Sequence, residues 1–599
     1  MKLSTLLFFV IVLTACGQAQ NDQNDVSALS PQNVATKYTN KSHGHFPTTK
    51  TVDDPAQYYA NRMVAKGLVF EQKWSEAAPL LESLVAQYPD DGDVWYMLGI
   101  AHMRTENWLD AIPALENTIA LGAGLSGVPT GSSPPNDIML LIAECHAALG
   151  DAANTKLWAE KSLAARYDDR PFMAGKPHFK EALSLDEYQR ILGVPSETDL
   201  SHDEAWRADL THLADEIRRL HINLGNVISK RDFNQQVTEI DAKIPSLTEQ
   251  EIVFEFMKLV GQMGNGHNVI IPTNGAKGSF SRLPVEFYWL SDGLYIVDAN
   301  EGFEQFIGSK VISIGSTPIA EALDKTLILN ARDNEMQHLW LSPYYISLPE
   351  VLKGLGIIED AATVPLTIVD PDGATKTVSF SGTQWSFQGF PKLPKPGHTD
   401  LPLYLKNSEQ LFWMEALPER NAIFVQFNFV NERDDNTLAD FSRRLTEMVE
   451  TSNLDNIILD IRHNPGGNGS ILPSLTRALI HAEIAKPDGK LFIVIGRGTF
   501  SAAHTLLVDI NELSNAVIVG EPSGSRPNAI SEAGWFKLPH SGLMGIVSTQ
   551  FHQTSSAEDH RIWIAPHIPT SLSSAEYFAG IDPSLEAIFE VITNDNPNQ

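Results

Sequence analysis

The sequence predicts a multidomain α/β protein, and three observations carry that prediction. Three short, β-branched runs at 457–459, 491–495 and 516–519 alternate with amphipathic helical segments, the βαβαβ order of a largely parallel sheet. Towards the other end, Trp74, Ala77 and Leu81 recur 34 residues on as Trp108, Ala111 and Leu115, the period of stacked helix pairs. Between these lies a β-rich stretch, residues 280–397. At 599 residues the chain exceeds what one hydrophobic core holds, so division into several domains is required. Its formal charge of -30 argues against nucleic acid and anionic membrane surfaces as partners.

Taken in order, the chain opens with Lys2, an apolar run over 6–13, and Thr14-Ala15-Cys16. That is a secretory signal over 1–16, too short to span a bilayer as a mature helix. Leu13-Thr14-Ala15-Cys16 resembles a bacterial lipobox, which implies lipid attachment at Cys16. With Gly17 rather than aspartate following, the resemblance implies a periplasm-facing outer-membrane anchor if the cell has that membrane. Residues 17–54 are polar and aperiodic and read as a flexible tether.

Residues 55–169 resemble tetratricopeptide repeats. Trp95, Leu98, Gly99 and His102 take packing positions in the second unit, and a weaker third unit has Thr155 where alanine is preferred. Such an array is either a concave surface for a protein or peptide partner or a helical spacer. Cys145, the only cysteine besides Cys16, sits at helix spacing among small apolar residues and reads as a buried structural thiol. Residues 122–135 are Gly/Ser/Pro-rich and read as a loop between units.

A connector over 170–200 leads to a helical cap over 201–275. Ser201 or Asp203 caps a helix carrying Trp206, Leu210, Leu213 and Ile217, and a second helix at 252–263 ends at Gly264. There Gly264-Asn265-Gly266-His267-Asn268 places a histidine in a tight turn before a β-branched run, which leaves the imidazole at a surface or cleft. Strands follow at 285–289, 294–297, 311–314 and 366–369, the last entering a hairpin at Asp370-Pro371-Asp372-Gly373. Residues 308–315 resemble part of a PDZ-type module; a small β domain lining the active-site cleft fits them equally. A Pro/Gly-rich boundary at 387–402 precedes the α/β domain, residues 403–592, which begins with a strand at 422–427 and a helix at 437–451.

The chemistry-bearing residues lie just past the C-terminal ends of the parallel strands, where such sheets carry their sites. Asn464-Pro465-Gly466-Gly467 follows the first, a turn that leaves backbone N–H groups free; Thr499-Phe500-Ser501-Ala502-Ala503 follows the second, a serine entering a helix. A serine beside a glycine turn is how a nucleophile and an oxyanion hole are assembled. With Gly264–His267, residues 460–467, 499–503 and Gly520-Glu521-Pro522 in that order, the chain from about 206 to 592 resembles the tail-specific, or C-terminal processing, serine proteases. The similarity is greatest to the branch that includes tricorn protease and the interphotoreceptor retinoid-binding protein repeats.

The resemblance implies that Ser501 is the nucleophile, with Gly466 and the Ala502 N–H as oxyanion donors. Many members use a lysine base after Gly-Glu-Pro, but here Arg526 fills that place and stays protonated. Lys537, in an apolar strand pattern, reads as solvent-facing. The tricorn-like branch uses histidine, which His267 matches; Glu558 or Asp559 is then expected to orient it. His504, one helical turn past Ser501, reads as packing beneath the site. Relatives often carry Asp-Gly-His-Thr where this chain has Asn265-Gly266-His267-Asn268, which removes a carboxylate and a hydroxyl from the histidine's surroundings. The function expected is an envelope-anchored serine peptidase acting on peptides or unfolded protein; the alternative is a non-catalytic binding protein for an apolar ligand or peptide. No HExxH, P-loop or cysteine cluster occurs, so neither metal nor nucleotide cofactor is expected.

Overall fold

A computed structural model describes residues 52–124, 134–192, 200–272, 275–385, 393, 401–433 and 435–595. The signal segment with Cys16, nearly all of the tether, and most of the two boundary stretches at 122–135 and 387–402 lie outside the described residues. Among the described residues no helix is long and apolar enough to cross a membrane.

The N-terminal domain is a succession of helices, Pro55–Phe70, Trp74–Gln87, Gly92–Arg104, Trp108–Leu121, Pro135–Ala148 and Ala152–Ala164. The 34-residue spacing brings Ala77 and Ala111, with Leu81 and Leu115, to equivalent, fully buried places. Small residues are needed where helices cross closely: a Cβ on Gly99 would lie 2.7 Å from Leu115 Cδ2. Thr155 fits in alanine's place because its hydroxyl is satisfied locally, donating to the Asp151 carbonyl at 2.7 Å. Cys145 is buried, and desolvation raises its thiol well above the ordinary range, so it is inert.

The described part of the connector forms short helices, Arg170–Ala174, Phe179–Ala182 and Leu185–Leu192. It is anchored on the cap helix His202–Leu220, where buried Glu216 receives Arg170 at 2.9 Å and Arg219 at 2.5 Å. Arg219 also donates to the Tyr167 carbonyl at 2.6 Å. Ser201 caps that helix in a reciprocal box with Glu204. The cap continues through Lys230–Lys243 and Glu249–Gly261 and ends in a short strand, β1 (Val269–Ile271).

A mixed domain follows, with β2 (Val285–Leu290), β3 (Gly293–Ala299), β4 (Lys310–Ile314), β5 (Thr317–Pro318), β6 (Val364–Val369) and β7 (Thr375–Phe380). The sheet runs β2-β3-β4-β6-β7 with β5 beside β4, every pairing antiparallel. Helices Glu335–Ile346 and Pro349–Gly354 pack on it through Ile346 and Leu352.

The α/β core contains β8 (Phe412–Leu417), β9 (Ala422–Phe427), β10 (Asn456–Asp460), β11 (Leu491–Ile495) and β12 (Val517–Gly520). A hairpin, β13 (Asn528–Lys537) and β14 (Met544–Gln553), comes before the last strand, β15 (Ile568–Pro569). The core sheet is ordered β15-β12-β11-β10-β9-β8, parallel except at the β8 edge. β9, β10 and β11 are buried along their whole length. One face is covered by helices Leu438–Thr451, Pro473–Ala485 and Ser501–Leu513, the other by Pro583–Asp595.

The long hairpin β13–β14, of which the strand pattern around Lys537 is the end of β13, leaves the core sheet. It pairs instead with β1 of the cap, Val269 opposite Ile546 and Ile271 opposite Met544, in a separate three-stranded sheet. Its turn is capped by the fully buried Asp209, which accepts from the His540 and Ser541 N–H groups at 2.9 and 2.7 Å. Phe536, Leu538, Leu543 and Val547 join the cap's own core. Cap and core are thereby joined through one chain segment.

The turn after β10 is held by charge. Arg462 is buried between Asp460 at 2.8 Å and Asp582 at 2.9 Å, the latter at the start of the last helix. Removing Asp582 leaves Arg462 paired with Asp460 but takes away the acceptor of Arg462 Nη1 and of the Ser584 N–H. Asp582→Ala is expected to lower the stability of the core by about 1–3 kcal/mol, read as a lower urea midpoint for the transition of the α/β core; an unchanged midpoint would show that Asp582 contributes nothing.

Candidate active site

Three local features build the site. The first is the strand-to-helix turn at Thr499–Ser501. Ser501 opens the helix Ser501–Leu513 at φ +50°, a conformation L residues rarely adopt, and Phe500 rather than Ser501 occupies the cap position. Its side chain is thus turned out of the helix. Backbone strain of this kind costs roughly 1–3 kcal/mol and persists only where the surroundings over-determine it. Here Thr499 Oγ1 donates to the Ile461 carbonyl at 2.9 Å, and the Phe500 N–H donates to the Asn464 carbonyl at 3.1 Å.

The second is the Asn464–Gly467 turn. Asn464 is fully buried; its amide donates to the Phe427 carbonyl at 2.9 Å and its oxygen accepts the Gly466 N–H at 3.0 Å. Gly466 sits at φ +99°, and a Cβ there would come within 2.6 Å of Ser501 Cβ and 2.8 Å of Ala502 N. Only glycine lets the turn approach the serine so closely. The oxyanion assignment shifts in consequence. The Gly466 N–H is already taken by Asn464, whereas among the described residues the N–H groups of Gly467 and Ala502 have no acceptor.

The third is the turn before β1. His267 Nε2 lies 3.0 Å from Ser501 Oγ. Its ring stacks on Phe500 at 4.5 Å between centroids, and Trp340 flanks Phe500 at 5.8 Å. Asn265 and Asn268 bond to each other, and Asn268 Oδ1 also accepts the Ser548 N–H of β14 at 2.8 Å. The turn is therefore tied to the hairpin. Burial pushes the imidazole below its ordinary pKa, opposed by the charges of Asp333 and then Glu532.

Glu558 and Asp559 do not fill the orienting role. Glu558 is exposed, and Asp559 is engaged by Arg561 at 2.7 Å, which holds its carboxyl well below the usual range. The titratable groups that act on His267 are Asp333, Glu532 on β13, and His552 on β14, whose Nε2 lies 3.4 Å from Glu532. His267 Nδ1 is buried without a hydrogen-bond partner among the described residues, so no carboxylate touches it directly. Asp333 and Glu532 lie in no recognisable motif. For Glu532 the only unusual feature is its φ of +63°, which sequence does not reveal.

The remaining candidates have other partners or are exposed. Arg526 donates from Nε to the Asp333 carbonyl at 2.6 Å, and Lys537 is exposed at the end of β13. His504 is buried 3.0 Å from Ser523 Oγ, its pKa pushed by desolvation down to about 3. Glu521 of the Gly-Glu-Pro motif pairs with Arg497 at 2.6 Å, and Arg497 reaches the Trp289 carbonyl on β2 at 2.8 Å.

Ser501 and His267 open into a cavity of about 1080 Å³. Its apolar walls include Val269, Ile271, Leu341, Phe429, Trp535 and Ile546. Among the described residues no group of three or more His, Cys, Asp or Glu is placed to hold a metal.

The fold and this geometry define an α/β protein whose capped cleft joins a serine and a histidine. No family model and no curated protein matches the sequence. Among solved structures, mature CPAF is similar at 14% identity and a TM-score of 0.47, over 66% of this chain and 98% of that one. The photosystem II D1 C-terminal processing protease is similar at 12% identity and a TM-score of 0.31, over 65% of this chain and 97% of its own. Tricorn protease is similar at 11% identity and a TM-score of 0.31, over 67% of this chain and 37% of its own.

Gly466→Ala is expected to push the Ser501 turn away, because the new methyl meets backbone as well as Ser501 Cβ. The measurement is modification of Ser501 by a fluorophosphonate, expected to slow by at least about tenfold, with 1 Å misplacements costing up to ~10²-fold in general. Wild-type reactivity would mean the close approach has no role in placing the serine.

Proposed function

We propose that this chain is a serine peptidase that hydrolyses peptide bonds through an acyl-enzyme. The observation that carries the reading is the 3.0 Å contact of His267 Nε2 with the hydroxyl of Ser501, at the mouth of a large cleft. A serine hydroxyl is a weak nucleophile until a base removes its proton as it attacks. His267, driven towards its neutral form by burial, takes that proton on Nε2 and returns it to the leaving amine. The oxyanion is received by the N–H of Ala502 and that of Gly467 in the glycine turn, donors rigidly held before reaction begins. Water then releases the acyl group by the same two residues.

The substrate class is a peptide or an unfolded protein segment, and the apolar walls favour an apolar side chain near the scissile bond. The same walls favour a second reading, an apolar-ligand binding protein without hydrolysis. In the proposed setting Cys16 carries a lipid that anchors the chain in the cell envelope, and the N-terminal helices recruit a protein partner or substrate. Incorporation of labelled palmitate that is lost in Cys16→Ser tests the anchor.

Labelling with a fluorophosphonate separates peptidase from binding protein. Wild type is expected to react, Ser501→Ala not at all, and His267→Ala more slowly by roughly 10²–10⁴-fold. Equal labelling of wild type and Ser501→Ala sinks the nucleophile assignment. Because the base acts only when neutral and burial lowers its pKa, reactivity is expected to persist below about pH 6.5 and to fall only as pH drops through the depressed value. An acid limb above the ordinary histidine value would contradict this.

A further inference from the structure

With no carboxylate on His267 Nδ1, the ring's orientation must come from elsewhere, and the backbone before it is held unusually firmly. The Gly266 residue is gripped at both of its polar groups by one short segment. Its N–H donates to Asp333 Oδ1 at 3.0 Å, and its carbonyl accepts from Gln337 Nε2 at 3.0 Å. The two gripping side chains are locked to each other, since the Asp333 N–H donates to Gln337 Oε1 at 2.9 Å. Asp333 and Gln337 are both almost wholly buried. The fit admits no side chain on Gly266, whose Cβ would fall 2.3 Å from Gln337 Oε1.

The same segment is fastened to the α/β core just beyond the Gly-Glu-Pro motif. Ser525 Oγ donates to Asp333 Oδ2 at 2.6 Å, and Arg526 Nε donates to the Asp333 carbonyl at 2.6 Å. Asn334, which caps the helix Glu335–Ile346, donates to the Ile562 and Ser523 carbonyls at 2.8 and 3.1 Å. Arg526, standing where relatives carry a lysine base, is thus built into the support of a histidine.

We propose that Asp333 and Gln337 are positioning residues for His267: they clamp the Gly266 peptide so that Nε2 meets Ser501, and Asp333 ties that clamp to the core loop 523–526. The inference rests on the serine–histidine reading above. Asp333 contributes a second effect, because its buried charge favours the imidazolium that forms as His267 takes the serine proton. The titratable groups facing the ring are Asp333 from the clamp segment, Glu532 from β13 and His552 from β14. Asp333 therefore sets both the direction of the ring and part of its basicity.

The test is the rate of Ser501 modification by a fluorophosphonate against pH and probe concentration, in the full chain. Gln337→Met keeps length and volume but cannot hold the Gly266 carbonyl; its maximal rate is expected to fall on the order of tenfold to a hundredfold while the half-saturating probe concentration stays put. Asp333→Asn keeps an acceptor for the Gly266 N–H and removes the charge, so the acid limb is expected to move to lower pH. A merely structural role would lower the thermal midpoint without moving that limb. Wild-type rates in folded Gln337→Met together with an unmoved limb in Asp333→Asn overturn the clamp, and should Gln337→Met not fold, an unmoved limb in Asp333→Asn does so alone. Wild-type labelling of Ser501→Ala removes the underlying pair, a separate failure.

Discussion

The contact between His267 and Ser501 joins residues 234 positions apart on two separate bodies, so everything at the site depends on how firmly cap and core are held together. The β13–β14 hairpin supplies that union. Its sequence belongs to the core, but its hydrogen bonds go to β1 and its apolar side chains to the cap interior. Asp209, fully buried and accepting two backbone N–H groups at the hairpin turn, fixes how far the hairpin reaches. A buried carboxylate satisfied in this way resists displacement, because leaving it unpaired costs several kcal/mol on the order of a broken buried ion pair.

Close backbone approach is the second constraint, and two glycines express it. Gly466 lies against Ser501, and Gly266 lies against Gln337. In each case the absent side chain lets a turn touch the element that carries or steers a reacting group. The strained serine follows from the same crowding: Asn464 pins both the glycine turn and the residue before Ser501. A flexible loop would relax the positive φ, whereas a turn tied down through Thr499, the Phe500 N–H and the Gly466 N–H holds it.

Electrostatically the site departs from a serine–histidine–carboxylate relay in which the acid touches the imidazole. Here the ring is buried beside Phe500, which favours its neutral form, and the carboxylates act at a remove. Asp333 works partly as a charge and partly through the peptide it holds. Arg526 cannot be a base, and the structure spends it on the Asp333 carbonyl.

Much of this was legible in the residues. The parallel strands, the 34-residue helical period, a cap at Ser201 or Asp203, the glycine turn and serine at 464–467 and 499–503, and the exclusion of Arg526 as a base are all local or chemical properties, carried by a few adjacent side chains. Glu558 and Asp559 illustrate the limit: they lie at a fitting place in the chain, yet Asp559 turns to Arg561 and Glu558 to solvent. Asp333, Gln337 and Glu532 bear no pattern: Asp333 is a buried acid that accepts a backbone N–H, which in sequence looks like any other acid, and Glu532 is an exposed acid on a strand. The sequence by itself determined which residue types are present at the ends of the strands and which bases are chemically excluded. Only the tertiary structure decided which N–H groups and which carboxylates surround the serine and histidine, because those meetings depend on where a hairpin lands on a distant helical cap, and no local periodicity records that.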